Sequence, residues 1–201
     1  ELVTEELPPK ALDALGQAFA EGIRKTLDTL GLLAGPGAAA YATPRRLAVR
    51  LDAVLGQAPD QAYAEKLMPA AIGLNEAGEP TPALLKKLQA KGLGHLGAAD
   101  LSRRHDGKQD VLYAEGTAPG ARLADGLQQA LDYAVTHLPI PKVMQYQLAD
   151  GRTNVKFVRP AQRLLALWGA DVVPVRTLGL EADRLTLGHR FQSSGPLSID
   201  S

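Results

Sequence analysis

The sequence predicts an α+β fold: a mixed, largely antiparallel sheet with two long amphipathic helices, a small helical insertion and a C-terminal β meander. Three observations carry this prediction. Two segments repeat apolar residues at helical spacing, the last sixty residues read as a series of short strands, and no sustained βαβ alternation links the two kinds of segment. At 201 residues, with 45% hydrophobic and 22% charged side chains, the chain is long and apolar enough to bury a core.

The first element, Glu1 to Thr4, reads as the end of a strand. Residue 1 therefore falls mid-strand, and the sequence reads as cut at both ends. Pro8 and Pro9 suit a helix start, where a missing N–H costs nothing. Leu12, Leu15, Phe19, Ile23, Leu27 and Leu30 then form one apolar stripe, which Gly31 and Gly35-Pro36-Gly37 end. A strand is expected from about Ala40 to Val54, because Leu47, Val49 and Leu51 alternate with Arg46, Ala48 and Arg50.

From about 57 to 107 the pattern is less regular and reads as the helical insertion. Thr81 caps a short helix that opens on Pro82, and Asp106-Gly107 turns the chain into a strand at Val111–Ala114. The second long helix spans about Ala121 to His137, with Leu123, Leu127, Leu131 and Val135 four apart, and Pro139 and Pro141 end it. Strands are expected at 155–158, 162–168, 172–178 and 185–190, with Pro174 marking an edge or bulge. The polar stretch 147–154 reads as a mobile loop. The expected division is a domain at 1–138, carrying the insertion, and a basic antiparallel region at 139–201.

Net charge is zero, yet Pro139–Phe191 holds eight basic residues against four acids. Such a bias suits a surface that faces phosphates. Cysteine is absent, so disulfides, thiolate metal sites and cysteine nucleophiles are excluded. No apolar run reaches membrane-span length.

Several motifs have plain structural readings. Gly92-Leu93-Gly94-His95-Leu96-Gly97 spells G-x-G-x-x-G but follows a helix, so it reads as a helix end rather than a dinucleotide loop. His105-Asp106 reads as a turn, since His95, His137 and His189 have no metal-ligand spacing to it. Glu5-Glu6 reads as structural, with Glu5 or Glu6 pairing with Arg45 or Arg46, because both segments flank the first helix. No phosphate-binding P-loop and no ordered nucleophile–base set is present, so no catalytic or metal-binding residue is assigned. Arg45, Arg46, Lys142, Lys156, Arg159, Arg163 and Arg190 are the candidates for meeting an RNA backbone.

Four segments in series carry a family resemblance. They are Glu1–Lys10 (ELVTEELPPK), Thr43–Ala48 (TPRRLA), Leu138–Met144 with Phe157–Pro160, and Leu178-Gly179-Leu180 with Thr186–Phe191. In these the chain resembles the bacterial glycyl-tRNA synthetase β subunit. One departure stands out: the family commonly continues P-K-x-M with Arg-Trp, whereas this chain has Gln145-Tyr146. The resemblance implies part of a cytoplasmic α2β2 glycine–tRNA ligase. The α subunit would hold the ATP, Mg2+ and glycine sites, and the region here would have no cofactor and no activity of its own. Its expected work is tRNA binding and subunit scaffolding; the other expectation is a purely structural domain.

Overall fold

The computed structural model describes residues 1–188, 192–193 and 195–200. It is a mixed α+β fold built as two compact units, Glu1–Pro59 with Gly120–Ser201, and Asp60–Pro119.

The larger unit opens with β1 (Leu2–Thr4), a 3-10 turn (Pro9–Ala11), α1 (Leu12–Thr29), β2 (Ala38–Thr43) and β3 (Arg46–Leu51). The smaller unit follows: β4 (Gln61–Pro69), α2 (Ala70–Gly73), α3 (Pro82–Ala90), β5 (Leu101–His105) and β6 (Asp110–Ala118). The chain then returns with α4 (Leu123–Thr136), β7 (Met144–Gln147), β8 (Asn154–Phe157), β9 (Ala161–Leu165) and β10 (Leu167–Trp168). It ends with β11 (Asp171–Val172), β12 (Arg176–Thr177), β13 (Leu180–Asp183), β14 (Leu185–Leu187) and β15 (Pro196–Ser198).

The central sheet of the larger unit has the order β12-β13-β9-β1-β3-β2. The α1 stripe buries Leu15, Phe19, Ile23 and Leu27 in the same core as Leu2, Leu47 and Leu164 of the sheet. Small residues set the approach of the helices. A Cβ on Gly16 would lie 2.7 Å from that of Ala42 on β2, and one on Gly22 would lie 3.1 Å from that of Ala134 on α4. α1 stops at Gly31, whose φ of 70° suits glycine, with Leu32 N–H donating to Leu27 C=O at 2.9 Å.

Five local expectations are revised. The strand expected at 40–54 is a hairpin, because Pro44-Arg45 forms the loop between Thr43 and its partner Arg46. The stretch read as a helical insertion contains a three-stranded sheet, β4-β6-β5, whose nine-residue β4 has no β-branched residue to mark it as a strand. Its unit extends to Pro119, beyond the expected end near 107, because β6 pairs with β4 along its length. Residues 139–201 share a sheet with the N-terminus, since Leu2 pairs with Leu164. The meander contains a parallel pair, β13 with β9, because the Leu178-Gly179 turn brings β13 back beside β9. Both turn residues have positive φ, 51° and 79°, which matches the twist of a two-residue hairpin.

The stretch 147–154 forms the closed end of the β7–β8 hairpin. Asp150 Oδ1 accepts from Arg152 N–H (2.9 Å) and Thr153 N–H (2.8 Å), and Leu148 N–H donates to Thr153 C=O at 2.8 Å. Tyr146 ties this hairpin to β9, its hydroxyl accepting from Ala161 N–H at 3.1 Å. Tyr146→Phe is expected to cost about 1 kcal/mol in chemical unfolding, since it leaves a half-buried N–H without its acceptor. An unchanged unfolding midpoint would show that water replaces the bond without loss.

Candidate nucleic-acid interface

Three separated segments meet at one end of the central sheet. Thr4 N–H donates to Arg45 C=O (2.9 Å), Leu7 N–H to Pro44 C=O (2.6 Å), and Glu5 N–H to Pro160 C=O (2.9 Å). The residues between β1 and the Pro9 turn are thus held between the β2–β3 loop and the β8–β9 turn. Proline explains part of this: with no N–H of its own, it leaves its carbonyl as the group that binds the neighbouring backbone.

The candidate cations fall into two sets according to what faces them. Arg45 Nη2 lies 3.3 Å from Glu6 Oε1 and 3.6 Å from Glu5 Oε2. Arg46, at the start of β3, reaches the C-terminal strands: its Nη2 donates to Thr186 Oγ1 at 3.2 Å and to Leu187 C=O. Its Nε lies 3.1 Å from Glu1 Oε1, close enough for an ion pair but not aligned as a hydrogen bond. Thr186, itself buried, donates to the same Glu1 carboxylate. Arg163 pairs with Asp183 at 3.4 Å. These three arginines each face a carboxylate that offsets their charge.

Lys142, Lys156 and Arg159 form the second set, and among the described residues none has a carboxylate within ion-pair distance. Lys142 and Lys156 are exposed. Arg159 is held by neutral acceptors: Nε donates to Glu6 C=O at 2.9 Å, and Nη1 to Val158 C=O and Met144 Sδ at 3.1 Å each. It lines an open depression of about 650 Å³ with Glu5, Glu6, Pro44 and Arg45. Arg190 lies outside the described residues.

The β7–β8 hairpin gives Lys156 its surroundings. Gln145 pairs with Lys156 and Gln147 with Asn154, so these four share one face, and all four are exposed. The opposite face carries Tyr146, Val155 and the buried Phe157. The three amides were missed as candidates because polar uncharged residues carry no charge signal. Their only trace in the sequence is alternation with Tyr146 and Val155. Asp150 at the hairpin tip is held below the usual carboxylate range, first by the Thr153 hydroxyl and then by the Arg152 and Thr153 N–H groups. It stays anionic and fixes the turn, while contributing the one acid of the hairpin.

The other motifs resolve into local structure. Gly92, with φ of 72°, follows α3, and Leu93 N–H donates to Leu88 C=O at 2.8 Å, closing that helix end. Asp106 Oδ1 accepts from the Lys108 and Gln109 N–H groups at 3.2 Å each, and His105 faces Asp110 at 3.0 Å. Among the described residues no group of three or more His, Asp or Glu side chains is placed to hold a metal ion. No helix among them is long and apolar enough to cross a membrane.

Comparison with known proteins places this geometry in context. A family model described as glycyl-tRNA synthetase beta subunit matches residues 1–201. A protein of Acidovorax ebreus (strain TPSY) named glycine–tRNA ligase beta subunit is 54% identical over 204 residues, covering 100% of this chain. Relatives of the same name from Dechloromonas aromatica (strain RCB) and Nitrosomonas europaea are 53% and 50% identical, each over 96% of the chain. The chain spans about 28% of the length of the Acidovorax and Dechloromonas relatives and 27% of the Nitrosomonas one.

Proposed function

The chain belongs to the glycyl-tRNA synthetase β-subunit family, and from that premise we propose that it serves a glycine–tRNA ligase by holding the tRNA backbone. In this reading it supplies no group to glycine activation. ATP, Mg2+ and glycine would be handled by an α partner chain, in a cytoplasmic α2β2 assembly. The β designation of its relatives supports the existence of an α partner.

The observation that carries the tRNA reading is the set Lys142, Lys156 and Arg159. These cations lack carboxylate partners among the described residues, and Lys156 shares its hairpin face with three exposed amides. Lysine and arginine supply charge to phosphates, while Gln and Asn can meet phosphate and ribose oxygens. Contacts of this kind suit recognition of an A-form stem by shape. Arg45, Arg46 and Arg163 support a different part of the reading: their carboxylate partners favour a scaffold role for them.

Binding of glycine tRNA, measured at several salt concentrations, tests the proposal. Lys142→Ala, Lys156→Ala and Arg159→Ala should each weaken binding and each lower the magnitude of the log–log salt slope by about 1. Unchanged slopes in all three variants would leave the chain with the structural role alone.

A further inference from the structure

The sequence holds two methionines, Met68 and Met144, in different surroundings. Met68 is half-buried in the smaller unit, where it packs against the cluster of Leu67, Leu84 and Leu112, with its Sδ beside Gly73. Met144 is 39% exposed at the open end of the β7–β8 hairpin, opposite the buried Phe157. Its Sδ accepts from Arg159 Nη1 at 3.1 Å. Arg159 is otherwise held by the Glu6 and Val158 carbonyls, and its Nη2 makes no hydrogen bond among the described residues. A solvent-reachable thioether is thus the one side chain, among the described residues, that engages a cation with no carboxylate at ion-pair distance.

We infer that Met144 is an oxidation site whose sulfoxide draws Arg159 away from the RNA backbone, an inference that rests on the proposed role of Arg159 in tRNA binding. The oxidant is a hydroperoxide. The sulfur attacks its terminal oxygen, so that an S–O bond forms as the O–O bond breaks. The thioether loses two electrons. The terminal proton passes to the leaving oxygen, which departs as water or an alcohol.

The consequence follows from acceptor strength. A thioether accepts weakly, whereas a sulfoxide oxygen is polar and its bond from a guanidinium is charge-assisted. Bidentate phosphate contact uses two guanidinium N–H groups. With Nη1 committed to the sulfoxide, Nη2 is left to make a single bond. The charge of Arg159 stays, so the phosphate contact is weakened without being abolished. Oxidation of Met68 would instead place a polar oxygen against an apolar cluster and would leave Arg159 untouched.

Hydrogen peroxide is the probe, applied to the full-length β subunit, with sulfoxides located by peptide mass spectrometry. Met144 should oxidise at least about fivefold faster than Met68, in keeping with its exposure. Phenylglyoxal, which labels guanidinium groups, follows Arg159 in the absence of RNA, with the exposed Arg152 as reference. Oxidation should slow the labelling of Arg159 about threefold in the wild-type chain and leave it unchanged in Met144→Leu. Glycine tRNA should bind the oxidised protein about fivefold more weakly, with a smaller change in salt slope than Arg159→Ala produces. Met144→Leu should bind equally before and after peroxide, and methionine sulfoxide reductase should restore the wild-type chain. Faster oxidation at Met68, or labelling of Arg159 that ignores the oxidation of Met144, would overturn the inference. So would unchanged tRNA binding by the oxidised protein beside a clear loss in Arg159→Ala. Normal tRNA binding by Arg159→Ala would instead remove the tRNA reading, and the labelling alone would then decide whether the sulfoxide holds Arg159.

Discussion

Phe19→Ala is expected to destabilise the larger unit by about 3 kcal/mol, the lower end of the range for truncating a buried phenylalanine. Phe19 is 1% exposed on α1 and belongs to the core that joins both long helices to the central sheet. Alanine removes the ring and its contacts and leaves a void the neighbours cannot close, because α1 already meets β2 at Gly16–Ala42. Phe19 also lines an open groove of about 400 Å³ with Ile23 and Leu27, so water can enter the void, which places the loss at the lower end. Urea unfolding should show a lower midpoint with an unchanged slope. Tyr133→Ala, on the 47%-exposed position of α4, should cost well under half as much. Comparable losses at the two positions would contradict the placement of the core.

Arg46→Ala is expected to cost about 2 kcal/mol of stability and to leave the salt slope of tRNA binding unchanged. Its guanidinium joins Glu1, Thr186 and the Leu187 carbonyl, and removal leaves a carboxylate that is only 17% exposed without its cation. A fully buried pair would cost more; the 30% exposure of Arg46 lets water compensate in part. Arg159→Ala should behave in the opposite way, with a small effect on unfolding and a clear one on the salt slope. The adjacent Arg45 pairs with exposed carboxylates, so reversing Arg45 and Glu6 together should recover no more than about 1 kcal/mol. If Arg46→Ala weakened tRNA binding as Arg159→Ala does, with no loss of stability, the division of the arginines into two sets would fail.

That division was not legible in the sequence. Arg45, Arg46, Arg159 and Arg163 are alike in type and differ only in what faces them. The facing groups are remote in the chain: Arg46 meets Thr186 across 140 positions, and Arg159 meets Glu6 across 153. Adjacent arginines also part company, because Arg45 lies in the β2–β3 loop beside Glu5 and Glu6 whereas Arg46 opens β3 beside Glu1. The pairing of an acid near the first helix with an arginine of the next hairpin could be framed from sequence order. Which arginine, and which acid, required the register Val3↔Arg46 and the hydrogen bonds around Pro44 and Pro160.

The sequence by itself determined the α+β class, the two amphipathic helices with their glycine and proline stops, the Thr81 cap and the turn at Asp106-Gly107. Each depends on groups within a few residues, where spacing and φ preferences act directly. It also determined the family, through four short segments in a fixed order. Only the tertiary structure decided that the first and ninth strands are neighbours and that β13 runs parallel to β9. It alone showed that the segment from 60 to 119 has its own sheet. Those outcomes depend on pairing between distant segments of similar pattern, for which the local sequence holds no register. The same reason governs the candidate interface: whether a cation is held by a carboxylate or left for a phosphate depends on what the fold brings to it.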